Sequence, residues 1–175
     1  MVKLLGPVEN FELLKSEVLA LVSDKLTEQN QISLQTHTED TDDWYSGIGT
    51  ATKFKDTYEI DYKFIQPSLK GSVIEQVINK YGAFRSRIMN LRPRACYSVH
   101  ADFSYRIHIP IVTNPQAWMV WPIAQEMHQF EEGNVYWTNT QAKHSAFNGS
   151  LDNRIHIVMC VSKPWLLGHP TVQET

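Results

Sequence analysis

Arg85-Ser86-Arg87-Ile88-Met89-Asn90-Leu91-Arg92-Pro93 is where the chain changes character. Before it, apolar residues recur at helical intervals. From it onward they gather into short runs: 87–91, then 95–99, 106–112, 118–122, 135–138 and 154–161. Turn residues separate the runs, at Arg92-Pro93, Thr113-Asn114-Pro115, Glu131-Glu132-Gly133-Asn134 and Asn148-Gly149. Strand-length runs at this spacing, after helices confined to the N-terminal half, predict a mainly β fold, a sandwich or barrel with the helices packed against it.

Upstream of the boundary, Phe11, Leu14, Val18, Leu21, Val22 and Leu26 fall three and four residues apart with Glu12, Lys15, Asp24 and Lys25 between them. That spacing predicts an amphipathic helix over about 10–28 with Asn10 as its N-cap. After a polar, acidic stretch over 29–47, Lys53-Phe54-Lys55 and Tyr58-Glu59-Ile60-Asp61-Tyr62 alternate like half-buried strands. A second helix is expected over 68–81, with Leu69, Val73, Ile74, Val77 and Ile78 on one face and Gly82 ending it.

A chain of 175 residues suits one domain. The expected division is an N-terminal support over 1–84, a β-core over 85–165 and a tail over 166–175. The formal net charge is −3, with acidic residues bunched at Glu39, Asp40, Asp42 and Asp43 and no Lys/Arg-rich tract, which argues against a nucleic-acid partner. The start, Met1-Val2-Lys3-Leu4-Leu5-Gly6-Pro7, is too short for the apolar region of a signal peptide, and no apolar run approaches the roughly 18 residues of a membrane span. A cytoplasmic protein is the expectation. Cys96 and Cys160 each sit in a strand-like apolar run, the usual setting of a buried free thiol, although one disulfide stays open.

Chemistry concentrates in Tyr97-Ser98-Val99-His100-Ala101-Asp102. Side chains two apart on a strand share a face, so His100 and Asp102 can present a ring nitrogen and a carboxylate to one point. His144, in a later strand-loop region, is the candidate third ligand. Two histidines and a carboxylate on one face leave coordination positions open, which suits non-haem Fe(II). His37-Thr38-Glu39 has similar composition but lies in the acidic loop, with no β pattern to hold its geometry. Arg154 opens the apolar run Arg154-Ile155-His156-Ile157-Val158-Met159-Cys160-Val161, and a guanidinium entering such a strand needs a partner. Two partners fit: a ligand carboxylate held bidentately, or an internal salt bridge, for instance to Asp152.

His100-x-Asp102, a distal His144 and Arg154 ten residues beyond it resemble the 2-oxoglutarate oxygenases built on a double-stranded β-helix. More narrowly, the chain is similar to the aspartyl/asparaginyl β-hydroxylase group, which includes free-proline hydroxylases. Asn90-Leu91-Arg92-Pro93, Arg106-Ile107-His108, Phe130-Glu131-Glu132-Gly133-Asn134-Val135 and the run from His144 to Lys163-Pro164-Trp165 carry the resemblance, over about 85–165; the N-terminal half matches loosely. It implies a jelly-roll, cupin-like core, Fe(II) held by His100, Asp102 and His144, and 2-oxoglutarate and O2 as co-substrates. Arg154 would pair with the distal carboxylate of 2-oxoglutarate. Arg106 and His108 would reach carboxylates of co-substrate or substrate, the alternative for them being a cross-strand polar pair.

The implied reaction is hydroxylation of an unactivated C–H with release of succinate and CO2. Asp102 stands where some aspartyl β-hydroxylases have Gly, and Met89 where peptide hydroxylases can have a co-substrate-binding Ser. Both departures point to the small-molecule branch. A free amino acid or small carboxylate-bearing molecule is the expected substrate, with Arg85, Arg87 and His156 as further candidate binders. A peptidyl Asp, Asn or Pro residue is the alternative, and a non-catalytic cupin-like module is the reading from another class. For His156, a satisfied strand histidine is the other possibility. Trp118, Trp121, Trp137 and Trp165 read as core or pocket wall, His128 as an exposed turn and His169 as part of a solvated tail.

Overall fold

A computed structural model describes residues 1–49 and 56–162. The fold is mainly β, with antiparallel sheets and two α-helices. Its strands are β1 (Val2–Pro7), β2 (Gln31–Ser33), β3 (Gln35–Thr36), β4 (Phe64–Ile65), β5 (Phe84–Leu91), β6 (Ala95–Cys96), β7 (Tyr105–Val112), β8 (Ala117–Trp121), β9 (Glu126–His128), β10 (Asn134–Thr138), β11 (Ser145–Asn148) and β12 (Arg154–Val161). The large sheet has the order β1-β10-β7-β12-β5-β2, the smaller one β6-β11-β8-β9, and β3 pairs with β4. Helices α1 (Phe11–Lys25) and α2 (Val73–Lys80) precede the main run of strands.

The period-2 alternation of β7 and β12 decides what goes where. In β12, Ile155, Ile157, Met159 and Val161 point to one face of the large sheet, and in β7 Ile107, Ile109 and Ile111 join them. This layer packs under Leu14 and Val18 of α1 and Val73, Ile74, Val77 and Ile78 of α2. Each such fully buried aliphatic side chain contributes roughly 1.5–3 kcal/mol. The alternate residues, Arg154, His156, Val158 and Cys160 of β12 with Arg106 and His108 of β7, face the smaller sheet. In most antiparallel sheets the polar face meets water; here it meets the inside of the barrel, and that makes the pocket. A second apolar cluster, with Leu91, Met119, Trp121, Phe130, Tyr136 and Ala146, lies between the sheets.

Several local expectations differ from the structure. Asn10 precedes α1 in the left-handed conformation (φ 54°) and makes no side-chain cap. The second helix is broken: Pro67–Leu69 forms a 3-10 turn, Gly71 takes φ +84°, and α2 starts afresh after Ser72. The restart is well capped, since Ser72 Oγ accepts from Glu75 N and the Glu17 carboxylate accepts from Val73 N and Ile74 N. At its other end, Gly82 N donates to Asn79 O and Ala83 N to Ile78 O, a Schellman motif with Gly82 at positive φ.

Residues 58–62 form no strand; Glu59–Asp61 is a 3-10 turn closed by the Asp61 carboxylate on Tyr58 N. Lys53-Phe54-Lys55, Lys163-Pro164-Trp165 and His169 lie outside the described residues. The boundary expected at 84 is crossed, because β1 pairs with β10 and β2 with β5, so the N-terminal half supplies two strands of the large sheet. Cys160 is buried as expected, but Cys96 is exposed, and both thiols are free. His128 is in β9, half-buried against Glu126. Among the described residues no helix is long and apolar enough to cross a membrane.

Candidate active site

His100 and His144 are joined by a two-way backbone bridge: His100 N donates to His144 O (3.0 Å) and His144 N to His100 O (2.8 Å). Residues opposite each other in an antiparallel pair project to one side, and the two rings lie 4.5 Å apart, centroid to centroid. Two residues further along, Asp102 N donates to Thr140 O, which keeps Asp102 on that side although no regular strand continues there. Asp102 Oδ1 is 3.8 Å from His100 Nε2, and Asp102 Oδ2 is 3.8 Å from His144 Nε2. The three ligand atoms all lie within 4.8 Å of one another.

Both histidines are prepared alike. Nδ1 of His100 is 2.7 Å from Ser98 O and Nδ1 of His144 is 3.0 Å from Ala142 O, so each ring donates from Nδ1 and turns an Nε2 lone pair to the common point. Burial holds His144 below the ordinary imidazole range, against the opposite pull of the Ala142 carbonyl and Asp102. A neutral ring is the form that binds a metal.

These three residues open onto a cavity of about 530 Å³ between the sheets. Arg154 is buried in its wall, and among the described residues no carboxylate pairs with it. The internal bridge to Asp152 does not form: its carboxylate makes no ion pair with Arg154, and Asp152 is tied down through its backbone, the carbonyl accepting from Asn148 Nδ2 and Ser150 Oγ. Burial lowers the Arg154 guanidinium to about 10, with only the Tyr97 phenol acting in its favour. Arg87 is similar. Burial, then the neighbouring Arg85, lower it to about 10; Nη1 donates to Gln31 Oε1 (2.9 Å) and Gly49 O (3.3 Å), while Nε has no partner among the described residues.

Arg85 and Arg106 are placed differently. Arg85 Nη1 lies 2.5 Å and Arg106 Nη2 2.7 Å from the same oxygen, Oε1 of Glu59. Arg106 Nε also reaches Asp102 Oδ2 at 3.3 Å, and its Nη1 donates to Ser104 Oγ. Burial works against the charge of Arg106, but Cys160, Asp102 and Glu59 together outweigh it and raise its pKa. Burial pushes the Glu59 carboxyl up, yet Arg106, Ser104 and Arg85 together overcome that and hold it below the ordinary carboxylate range.

His108 and His156 stand T-shaped with centroids 5.8 Å apart, and no ring nitrogen of either has a partner among the described residues. Burial, followed by the charge of Arg154, pulls both well below 6.5, so both are neutral at pH 7. His156 is fully buried behind the cavity wall, whereas His108 lines the cavity.

Sequence reasoning missed Glu59 and gave no role to Tyr97 or Gln31. A signal for Glu59 existed: Arg85, Arg87, Arg106 and Arg154 brought near one pocket with Asp102 as the sole acid demand another internal anion. Glu59 was hidden because the alternation of 58–62 suggested a strand with its carboxylate outward.

Fold and triad together define an oxygenase of the Fe(II)/2-oxoglutarate type. The chain belongs to the Aspartyl/Asparaginyl beta-hydroxylase family, whose sequence profile matches residues 8–164. That span includes the N-terminal half, which the motifs alone matched only loosely. Fe(II) and 2-oxoglutarate are the metal and co-substrate that go with this family, and two fixed Nε2 atoms with a carboxylate suit the metal.

Among solved structures, the viral collagen prolyl hydroxylase of Paramecium bursaria Chlorella virus-1, in its 2OG complex, has TM-score 0.55 at 9% identity, covering 91% of this chain and 96% of that one. The non-haem α-ketoglutarate-dependent epimerase SnoN of nogalamycin biosynthesis has TM-score 0.53 at 8% identity, covering 90% and 76%. AviO1 of Streptomyces viridochromogenes has 0.51 at 12% identity, covering 97% and 92%. At such identities the likeness speaks for the fold. No curated protein is similar enough in sequence to match.

Proposed function

We propose that this 2-oxoglutarate-dependent dioxygenase hydroxylates an unactivated C–H of a free amino acid or another small carboxylate-bearing molecule. The observation that carries the reading is Arg154, a buried guanidinium with no carboxylate partner among the described residues, opening into the same cavity as His100, Asp102 and His144. A buried cation left in that state awaits an anion from outside the chain.

Nε2 of His100, Nε2 of His144 and the Asp102 carboxylate would hold Fe(II), while Arg154 takes the distal carboxylate of 2-oxoglutarate. Iron bound there would supply the oxidation with O2, one oxygen atom entering the succinate formed with CO2 from 2-oxoglutarate and the other becoming the hydroxyl of the substrate. The protein's residues bind and orient. Ser98 O and Ala142 O fix the ligand rings, and Arg106 Nε steadies the Asp102 oxygen that faces His144. His108, neutral and lining the cavity, is a hydrogen-bond donor for a carboxylate rather than a counter-charge. Arg87 is the second guanidinium of the cavity with no carboxylate partner among the described residues and would seat the substrate's own carboxylate, which fixes the C–H to be oxidised relative to the metal. A cavity of about 530 Å³ holds co-substrate and a small molecule together.

A peptidyl substrate is favoured by one feature, the exposed Val99 and Phe103 beside the metal ligands, with Phe103 also lining the cavity. A screen of free amino acids and short Asp-, Asn- and Pro-containing peptides for substrate-stimulated succinate decides between them. Stimulation by peptides alone refutes the small-molecule reading, and absence of any succinate with iron and 2-oxoglutarate favours the non-catalytic module.

A further inference from the structure

The cavity is lined by Arg85, Arg87, Arg106 and Arg154; among the described residues Glu59 is the one glutamate that serves any of them, and Asp102 reaches Arg106 Nε. This carboxylate comes from a turn outside both large sheets, and the backbone of that turn is closed by Asp61 without it. Its oxygens are full: Oε1 takes Arg85 Nη1 at 2.5 Å and Arg106 Nη2 at 2.7 Å, and Oε2 takes Ser104 Oγ at 2.6 Å and Arg106 Nη1 at 3.5 Å. Arg85 also donates from Nε to Gly47 O and from Nη2 to Gly49 O. Two adjacent guanidiniums converging on one carboxylate form the kind of site that otherwise seats a carboxylate from a ligand.

We propose that Glu59 determines specificity by occupying, from within the chain, the anion seat of Arg85 and Arg106, so that the pocket takes a substrate with one carboxylate and rejects a dicarboxylic one. The inference rests on the reading above in one respect: with Arg154 given to the co-substrate, Arg87 is the one seat left for a substrate carboxylate. An incoming second carboxylate meets either the charge of Glu59 or an arginine pair whose charge Glu59 and Asp102 together already balance. Without the charge of Glu59, the same two guanidiniums are left with an unbalanced positive charge that draws a second ligand carboxylate.

The test compares L-glutamate with L-glutamine, which match in shape and differ in the second carboxylate. Each is titrated calorimetrically into Co(II)-loaded wild-type and Glu59→Gln protein, saturated with 2-oxoglutarate and, in a second series, without it. Glu59→Gln is expected to bind glutamate at least tenfold more tightly than wild type does, with glutamine changed less than threefold. A second substitution, Arg106→Met, is expected to abolish the gain. If Glu59 were only a strut for its turn, both ligands would change together and their ratio would stay put.

A Glu59→Gln protein that is folded by circular dichroism and gains nothing for glutamate over wild type overturns the proposal. Should Glu59→Gln fail to fold, wild type decides, and a wild type that does not prefer glutamine to glutamate overturns it. Failure of wild type to bind 2-oxoglutarate counts against the oxygenase reading alone, because the series without co-substrate still reads the effect of Glu59.

Discussion

Replacing Arg154 by Met separates a ligand anchor from a structural arginine. Burial lowers this guanidinium to about 10 from 12.5. At about 1.4 kcal/mol per pH unit, the free protein therefore carries on the order of 3 kcal/mol of unrelieved charge burial at neutral pH. A carboxylate that binds there gains a charge-assisted pair worth roughly 1.5–3 kcal/mol, a factor of about ten to a hundred or more in affinity. Arg154→Met is accordingly expected to raise the Kd for 2-oxoglutarate at least tenfold, measured by calorimetry on Co(II)-loaded protein. Cobalt uptake should persist.

The stability of the ligand-free protein is the sharper readout. Removing a buried charge that has no carboxylate partner among the described residues should be neutral or stabilising, so Tm without ligand should hold or rise by a few degrees while the upward shift on adding 2-oxoglutarate disappears. At roughly 2–4 °C per kcal/mol for a chain of this size, both changes are measurable by scanning fluorimetry. Unchanged 2-oxoglutarate affinity in the folded variant refutes the anchor. A fall in Tm of about 10 °C would show instead that Arg154 is held by the protein itself.

Asp102→Ala and His144→Ala are each expected to weaken Co(II) binding by more than about a hundredfold, read from the visible absorption of the metal, with the circular dichroism spectrum retained. Arg106→Leu should destabilise the fold by about 3–5 kcal/mol by urea titration, because it strips a buried carboxylate of one cation; a change below about 1 kcal/mol would mean that Glu59 does not depend on it. His156 gives a pH signature. Its folded pKa lies well below 6.5, so the unfolded chain binds the extra proton and stability is lost as pH falls through about 6.5. At pH 5 the loss for one such histidine is about 2 kcal/mol. His156→Leu should therefore show a shallower decline between pH 7 and 5, and equal slopes would contradict the burial of a neutral ring.

Much of the β-core was legible because its strands alternate. In β12 the period-2 pattern set both the limits of the strand and the common face of Arg154 and His156, since one face had to pack under helices. Glu59 was not legible, because its position depends on arginines brought to it by three-dimensional folding and its own neighbours alternate like a strand. The break at Gly71-Ser72 escaped because the apolar period runs on through it, although Gly71 and the Ser72 cap mark the restart locally and the remote Glu17 carboxylate completes it. The nearness of His100 and Asp102 followed from local spacing. That of His144 could only be matched by resemblance, as it depends on a strand-like pairing that is one bridge long.

That single bridge has a consequence for motion. The ladder between β6 and β11 covers only Cys96–Phe147 and Ala95–Asn148, and beyond it the two chain segments are held by the Tyr97–Ala146 hydrogen bond and by His100 opposite His144. Ser145 Oγ on Tyr97 O and Asp102 N on Thr140 O add to the seam, but it has no continuous ladder there, and a short, partly solvent-facing seam of this kind is where local opening is expected. A divalent ion held by both imidazoles would work as a clasp across it, converting a fraying edge into a closed ring. The amide protons of His100, Asp102 and His144 should then exchange with solvent quickly in the metal-free protein and slowly in the loaded one, while those buried in β7 and β12 keep their pace.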